Sequence, residues 1–271
     1  MKKRVLFILQ QYKPFSSPTC ICFENVIDEM MKNHEAFVLT NDYAFKNSKD
    51  SDNVFRVRPF LSTRLENSKK KNRFICNAIF ILESVFRLLL FFSYPRQHKL
   101  YLRRFEKTAD KICKEYNIDI VIPVCFSVDN LYAGLYAKKM NEKVCLCPYI
   151  IDGFSSGKIE KFFPKKYGLN KRLKFEKELF NKSEHIFAMK TMRAHYESFF
   201  KEFQSNFHFI DPPFYKTRNL SNFKSSFSNL FEKDEITFVY TGYLYLPDRD
   251  PLVLKNVFEC IANKVMKKMH L

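Results

Sequence analysis

Short apolar runs alternate with amphipathic stretches along most of this chain, and that order constrains the fold more than any other feature. Residues 5–9 form an unbroken apolar run, the pattern of a strand buried on both faces. Ser17-Pro18 then reads as a helix cap followed by proline at the first helical position. Phe23, Val26, Ile27, Met30 and Met31 recur at helical spacing behind it. Runs 36–40 and 54–57 are the next strands, and Tyr101, Phe105, Ala109, Ile112 and Cys113 mark another helix. Run 118–125 is the longest strand signal, with Ser127 placed to cap a following helix, and 144–151 is the next strand. A helix over 173–180, a strand over 185–189, a helix over 192–200 and a strand over 207–210 complete the series. Strands alternating with helices predict an α/β fold with a largely parallel sheet and helices on both faces.

Asp211-Pro212-Pro213 ends the series and bounds a first domain, 1–213. Residues 214–235 are polar and aperiodic, and read as a linker. A new strand over 236–241, Gly242, a loop through Arg249 and a helix over 252–264 follow, so 236–271 reads as one strand, one loop and one helix of a second α/β domain.

Composition excludes several chemistries. The chain has 5 glycines in 271 residues and no GxG, which rules out a Walker loop, a kinase glycine loop and the usual dinucleotide fingerprint. Eight cysteines include two C-x-C pairs but no C-x-x-C; set among Val, Ile and Phe, they read as reduced core residues of a cytoplasmic protein. His185 and His195 have no neighbour in sequence that suggests a metal or nucleophile site, and no Ser/His/Asp pattern is evident. No metal site and no cofactor are expected.

Ligands of an open parallel sheet collect beyond the carboxyl ends of its strands. Ser16 and Ser17 stand there, either seating an anion or sugar hydroxyl at the helix start or serving as a plain cap. Ser127 occupies the matching place after the long strand. Asp152 follows Tyr149-Ile150-Ile151 and precedes Gly153; it either contacts a substrate hydroxyl or forms an Asx turn.

Several stretches, in order, resemble the family-four-like glycosyltransferases of the GT-B fold, which have two Rossmann-like domains around a cleft. Lys3-Arg4-Val5-Leu6-Phe7-Ile8, a Pro-containing loop over 13–18 and a helix toward Asn33-His34-Glu35 are similar to the family's first unit, with Ser16-Ser17 where the family usually has a Gly pair. Ile118-Asp119-Ile120-Val121-Ile122 and Cys147-Pro148-Tyr149-Ile150-Ile151-Asp152 resemble the middle strands, where the family places an acceptor-side acid. Phe209-Ile210-Asp211-Pro212-Pro213 resembles the end of the N-terminal domain. Phe238-Val239-Tyr240-Thr241-Gly242 through Arg249-Asp250-Pro251 resembles the first unit of the donor-binding domain, with Tyr243 at the family's common basic position. The resemblance implies a nucleotide-sugar donor approaching Gly242 with its pyrophosphate on Arg249. It implies a glycan or lipid-linked acceptor near Ser16, Ser17, Ser127 and Asp152, the last as catalytic acid or base. It also implies a donor domain cut short at residue 271, without the family's paired glutamates. The chain is therefore expected not to transfer sugar alone: it is a truncated or split enzyme, or a small family member that works in complex with a separate donor-domain chain.

Charge adds a membrane. Ten of the seventeen net positive charges fall between residues 56 and 107, around an apolar stretch, 75–92. Arg73, Asn77, Ser84 and Arg87 share one narrow helical stripe, which leaves a wide apolar face including Phe80, Phe91 and Phe92. Glu83 and Arg87 argue against a spanning helix. The segment suits a helix lying on an anionic membrane, at the inner face, or a helix packed on the sheet with Glu83 and Arg87 paired. The competing functional class is a basic nucleic-acid-binding module without enzymatic activity; against it, the basic residues surround a hydrophobic segment rather than interleaving with stacking aromatics, so no nucleic acid is expected as a partner.

Overall fold

The computed structural model describes residues 2–13, 18–41, 53–57, 77, 94–96, 99–125, 127–157, 164–211, 236–237, 255, 259, 261 and 269–270. The chain divides into two units, 1–216 and 217–271.

The first unit is built on a parallel sheet. Its strands are β1 (Arg4–Leu9), β2 (Glu35–Asn41), β3 (Val54–Val57), β4 (Ile120–Cys125), β5 (Cys145–Leu146), β6 (Tyr149–Ile150), β7 (Ile186–Ala188) and β8 (Phe207–Phe209). They lie in the order β3-β2-β1-β4-β6-β7-β8, with β5 also paired to β4. Every described pairing is parallel. The order reverses between β1 and β4, which makes their carboxyl ends the switch point of a doubly wound sheet.

The predicted run 144–151 is split in two. β5 and β6 meet β4 in one continuous register, Ile120 opposite Cys145 and Val124 opposite Tyr149, which sets Pro123 opposite Pro148. Each proline removes one N–H from the ladder at the same level, so the strand is broken there.

Helices α1 (Pro18–Met30), α2 (Lys99–Glu115), α3 (Val128–Met140), α4 (Lys165–Phe180) and α5 (Arg193–Phe199) connect the strands. One face of the sheet packs Val5, Phe7, Leu9, Ala36, Val38 and Tyr149 against Cys20, Phe23 and Ile27 of α1. The other packs Leu6, Ile8, Leu39, Val121 and Ile150 against α2 to α5. Phe180 centres an aromatic cluster there, with Tyr196, Phe200, Phe203 and Phe207 rings 5.8, 5.0, 6.0 and 5.3 Å away. Asn117 takes the left-handed conformation (φ 47°) that turns α2 toward β4, as asparagine tolerates.

Helix α4 starts eight residues before the predicted 173, because Pro164 stands at its cap with no side-chain bond to announce it. The predicted helix over 192–200 is a 3-10 turn, Lys190–Met192, followed by α5. The six described cysteines are thiols rather than disulfides.

The second unit pairs β9 (Ile236–Thr237) with β10 (Met269–His270) in parallel, and Lys255, Glu259 and Ile261 are helical between them. A second strand therefore closes the fragment read as one strand and one helix; at two residues, Met269-His270 is too short to carry a period. The predicted linker 214–235 lies outside the described residues.

Candidate functional site

The carboxyl rim of the sheet carries Ser127, Asp152, Lys190 and Asp211 in succession across β4, β6, β7 and β8. Ser127 is the N-cap of α3, its Oγ accepting from the Asp129 N–H at 3.4 Å. Asp152 is exposed, and its own carbonyl oxygen accepts from the Cys125 thiol at 3.4 Å, which ties the end of β6 to the end of β4. Lys190 is held to Asp211 twice, by its N–H at 3.3 Å and by Nζ at 3.2 Å, tying the ends of β7 and β8.

The loop after Asp152 folds inward and is clamped from below. Gly153 is buried, and a Cβ there would run into Ser156 Oγ and lie 2.9 Å from Met192 Sδ, so a larger residue would have to displace both side chains where the loop meets the 3-10 turn. Arg172 of α4, 6% exposed, donates through Nη1 to the carbonyls of Phe154 (2.8 Å) and Gly157 (3.2 Å) and through Nε to Tyr94 Oη (2.5 Å). Its guanidinium also lies over the Phe154 ring, 4.9 Å from the centroid.

Beside that clamp runs a buried polar chain. Glu176 is fully buried; Oε1 accepts from Tyr196 Oη at 3.1 Å, and Oε2 has no hydrogen bond among the described residues. Ser155 lies next to this carboxyl with both its hydroxyl and its N–H, which, with Tyr196 and Arg172, favour the ionised form. Burial outweighs them and raises the Glu176 pKa to about 7. Ser155 Oγ in turn lies 2.7 Å from Nε2 of His195, a half-buried residue of α5 whose pKa burial lowers.

A second buried acid lies at the start of α3. Asp129 leaves Oδ1 unpartnered among the described residues, and burial, then Glu106, raises its pKa to about 7. Glu106 itself is paired with Arg96 at 3.4 Å, and burial raises its pKa too.

Asp152 and Ser127 thus stand on the predicted rim. Ser16, Ser17, Gly242, Arg249, Arg73, Phe80, Arg87, Phe91 and Phe92 lie outside the described residues; of the basic apolar segment, Asn77 is helical and exposed. Among the described residues no helix is long and apolar enough to cross a membrane. His195 and His185, which have no neighbour in sequence that suggests a site, find partners through the fold. His195 meets Ser155 across 40 residues, and His185 Nδ1 meets His208 Nε2 at 3.0 Å across neighbouring strands. Glu176, Ser155 and Arg172 were not singled out from the sequence. Their signal was present: Arg172 and Glu176 stand in the buried stripe of α4 with Phe175, Leu179 and Phe180, where charge needs a reason.

No family model and no curated protein matches the sequence. The fold is similar to that of UDP-GlcNAc 2-epimerase from Methanocaldococcus jannaschii, with TM-score 0.50 and 11% identity over 99% of this chain and 64% of that one. The S. aureus MnaA–UDP co-structure gives TM-score 0.45 and 13% identity over 99% of this chain and 62% of that one. The chain has a GT-B-like, Rossmann-type α/β fold. It spans less than two thirds of the length of both proteins.

Proposed function

We propose that this chain is the acceptor-side part of a glycosyltransferase that moves a sugar from a nucleotide-sugar to a glycan or lipid-linked hydroxyl. The observation that carries this reading is the exposed Asp152 carboxylate at the carboxyl end of β6, one strand from the switch point, on a loop anchored by Arg172 and Cys125. Open α/β sheets bind ligands at that edge. The resemblance of the sequence to GT-B glycosyltransferases and the likeness of the fold to a UDP-GlcNAc 2-epimerase both support a nucleotide-sugar as the ligand.

Asp152 contacts the acceptor hydroxyl and polarises its O–H bond, with Ser16, Ser17 and Ser127 orienting the sugar. Gly242 and Arg249 meet the donor pyrophosphate. The basic segment 73–92 rests on anionic lipid at the inner membrane face, next to lipid-linked acceptors.

The test follows nucleoside diphosphate release from UDP- and GDP-sugars by phosphorus NMR, with a saccharide acceptor in anionic vesicles. Product glycoside in step with released diphosphate is the expected result. Asp152→Asn should lower turnover by roughly 100-fold or more with an unchanged unfolding midpoint. Unchanged turnover returns Asp152 to a turn-forming role. Inversion at a sugar carbon without any glycoside replaces transfer by epimerisation. Flotation of the chain with acidic vesicles but not neutral ones checks the membrane; equal recovery from both, or from neither, removes it from the proposal.

A further inference from the structure

Three buried features compete for a role: the Asp129–Glu106 pair, the His185–His208 pair, and the chain from His195 through Ser155 to Glu176. The third leads from a half-buried imidazole on the rim to a fully buried carboxyl oxygen that lacks a partner among the described residues. Ser155 also sits in a G-x-S-x-G spacing, Gly153 to Gly157, but it is 3% exposed. It stands five residues past the end of β6, and α4 begins only at Lys165. That is not the sharp strand-to-helix turn that exposes a nucleophilic serine. A buried hydroxyl between a base and an acid is placed to pass protons instead.

We infer that His195, Ser155 and Glu176 form a proton relay that draws the proton from a hydroxyl nucleophile at the rim and stores it on Glu176. The inference rests on the reading above that this rim handles an acceptor hydroxyl. In the resting state His195 carries its proton on Nε2 and donates to Ser155 Oγ, Nδ1 is open, and the Ser155 hydroxyl beside the ionised Glu176 carboxyl turns to donate to the unpartnered Oε2. The acceptor O–H breaks and an Nδ1–H bond forms, while its oxygen takes up the transferred sugar. The Nε2 proton then moves to Ser155 Oγ, and the Ser155 proton moves to Glu176. His195 is left neutral with Nδ1–H, and Glu176 is a neutral acid. An imidazolium and a carboxylate have become two uncharged groups, the direction a water-poor interior favours.

The surroundings fit this assignment. Glu176 is faced by the Tyr196 hydroxyl from α5, by Arg172 from its own helix and by the buried Cys125 thiol from β4, which also senses Asp152. His195 is flanked by the rings of Tyr196 and Phe199, both uncharged. A Glu176 pKa near 7 lets the group both accept and return a proton at neutral pH.

The experiment is nitrogen-15 NMR of the imidazoles in the full chain, with His195 assigned by its loss in His195→Gln. The relay requires the Nε2–H tautomer in neutral His195. Glu176→Gln should lower the His195 pKa by roughly half a unit or more, and that shift should vanish in a Ser155→Ala background. An Nδ1–H tautomer, no shift, or a shift that persists undiminished without the Ser155 hydroxyl overturns the relay. If Glu176→Gln does not fold, carbon-13 titration of the Glu176 carboxyl in the wild type and in Ser155→Ala reads the same coupling. Two linked steps in the wild type and one in the variant support it; identical curves overturn it. The acceptor reading is judged separately, by glycoside formation: intact coupling in a chain that forms no glycoside sinks that reading, and lost coupling sinks the relay.

Discussion

The two faces of the sheet solve the same packing problem with different materials. The face under α1 is closed by aliphatic and aromatic side chains, Val5, Phe7, Leu9, Phe23 and Ile27 among them. The face under α2 to α5 is larger and encloses Glu106, Asp129, Arg172 and Glu176, all less than 8% exposed except Asp129 at 8%. An ionisable group in that position is kept by bonds and by a shifted proton affinity, not by transfer from water. The α1 face should therefore respond to volume alone, and the other face to volume, bonding and pH.

The largest effect should come from Phe180→Ala, which empties the centre of the aromatic cluster. Loss of about 3–5 kcal/mol in urea unfolding is expected. A loss under 1 kcal/mol would mean that the cluster closes over the gap. Arg172→Met comes next: it strips the donor from two loop carbonyls and the Tyr94 hydroxyl while keeping most of the volume. About 2–3 kcal/mol and faster amide exchange over 153–157 are expected, since hydrogen bonds from a charged donor are the stronger class. Unchanged exchange would show that the loop is held by Gly153 packing instead.

The pH response separates the faces most directly. Glu176 and Asp129 bind their protons more tightly folded, near 7, than their ordinary 4.5 and 3.8. Between those limits the folded chain keeps protons that the unfolded chain has released, so the stabilisation is complete below about pH 4 and is lost as pH rises through about 7. The slope should approach ~1.4 kcal/mol per pH unit for each group. Glu176→Gln and Asp129→Asn should flatten it, while Phe23→Leu on the α1 face should lower stability equally at pH 5 and pH 8. A Phe23→Leu penalty that varies with pH would break the comparison. The smallest effect belongs to Ser127→Ala, about 0.5–1 kcal/mol, since the capping bond is long at 3.4 Å.

The same contrast explains what was legible in the sequence. Hydrophobic periodicity located β1 to β4, α1 and α2, because those elements bury unbroken apolar runs or stripes, whereas α3 was announced only by its Ser127 cap. It blurred where Pro123 meets Pro148, because that break is a pairing event and neither proline marks it alone. Asp152 was legible since a strand's carboxyl end can be read from local order. His195, Ser155 and Glu176 were not, because their bonds cross 40 and 20 residues that only the folded topology brings together. Even so, a glutamate and an arginine on the apolar stripe of α4 are visible to anyone who asks which charges a helix would bury.

The facing prolines also matter before the fold exists. Strand β1 leaves the ribosome more than 110 residues before β4, and closing so long a loop to pair the two is slow. Meanwhile 118–125 is an apolar, β-branched segment with a single charge, the kind that stacks with copies of itself from neighbouring chains. Pro123 interrupts that stacking, because a cross-β ladder needs an N–H at every rung and proline has none. In the native sheet the missing rung is a small loss, shared with Pro148 and covered by α3, whose Gly134 brings its backbone so close that a Cβ there would lie 2.6 Å from the Pro123 ring. During synthesis the same residue is a guard against aggregation.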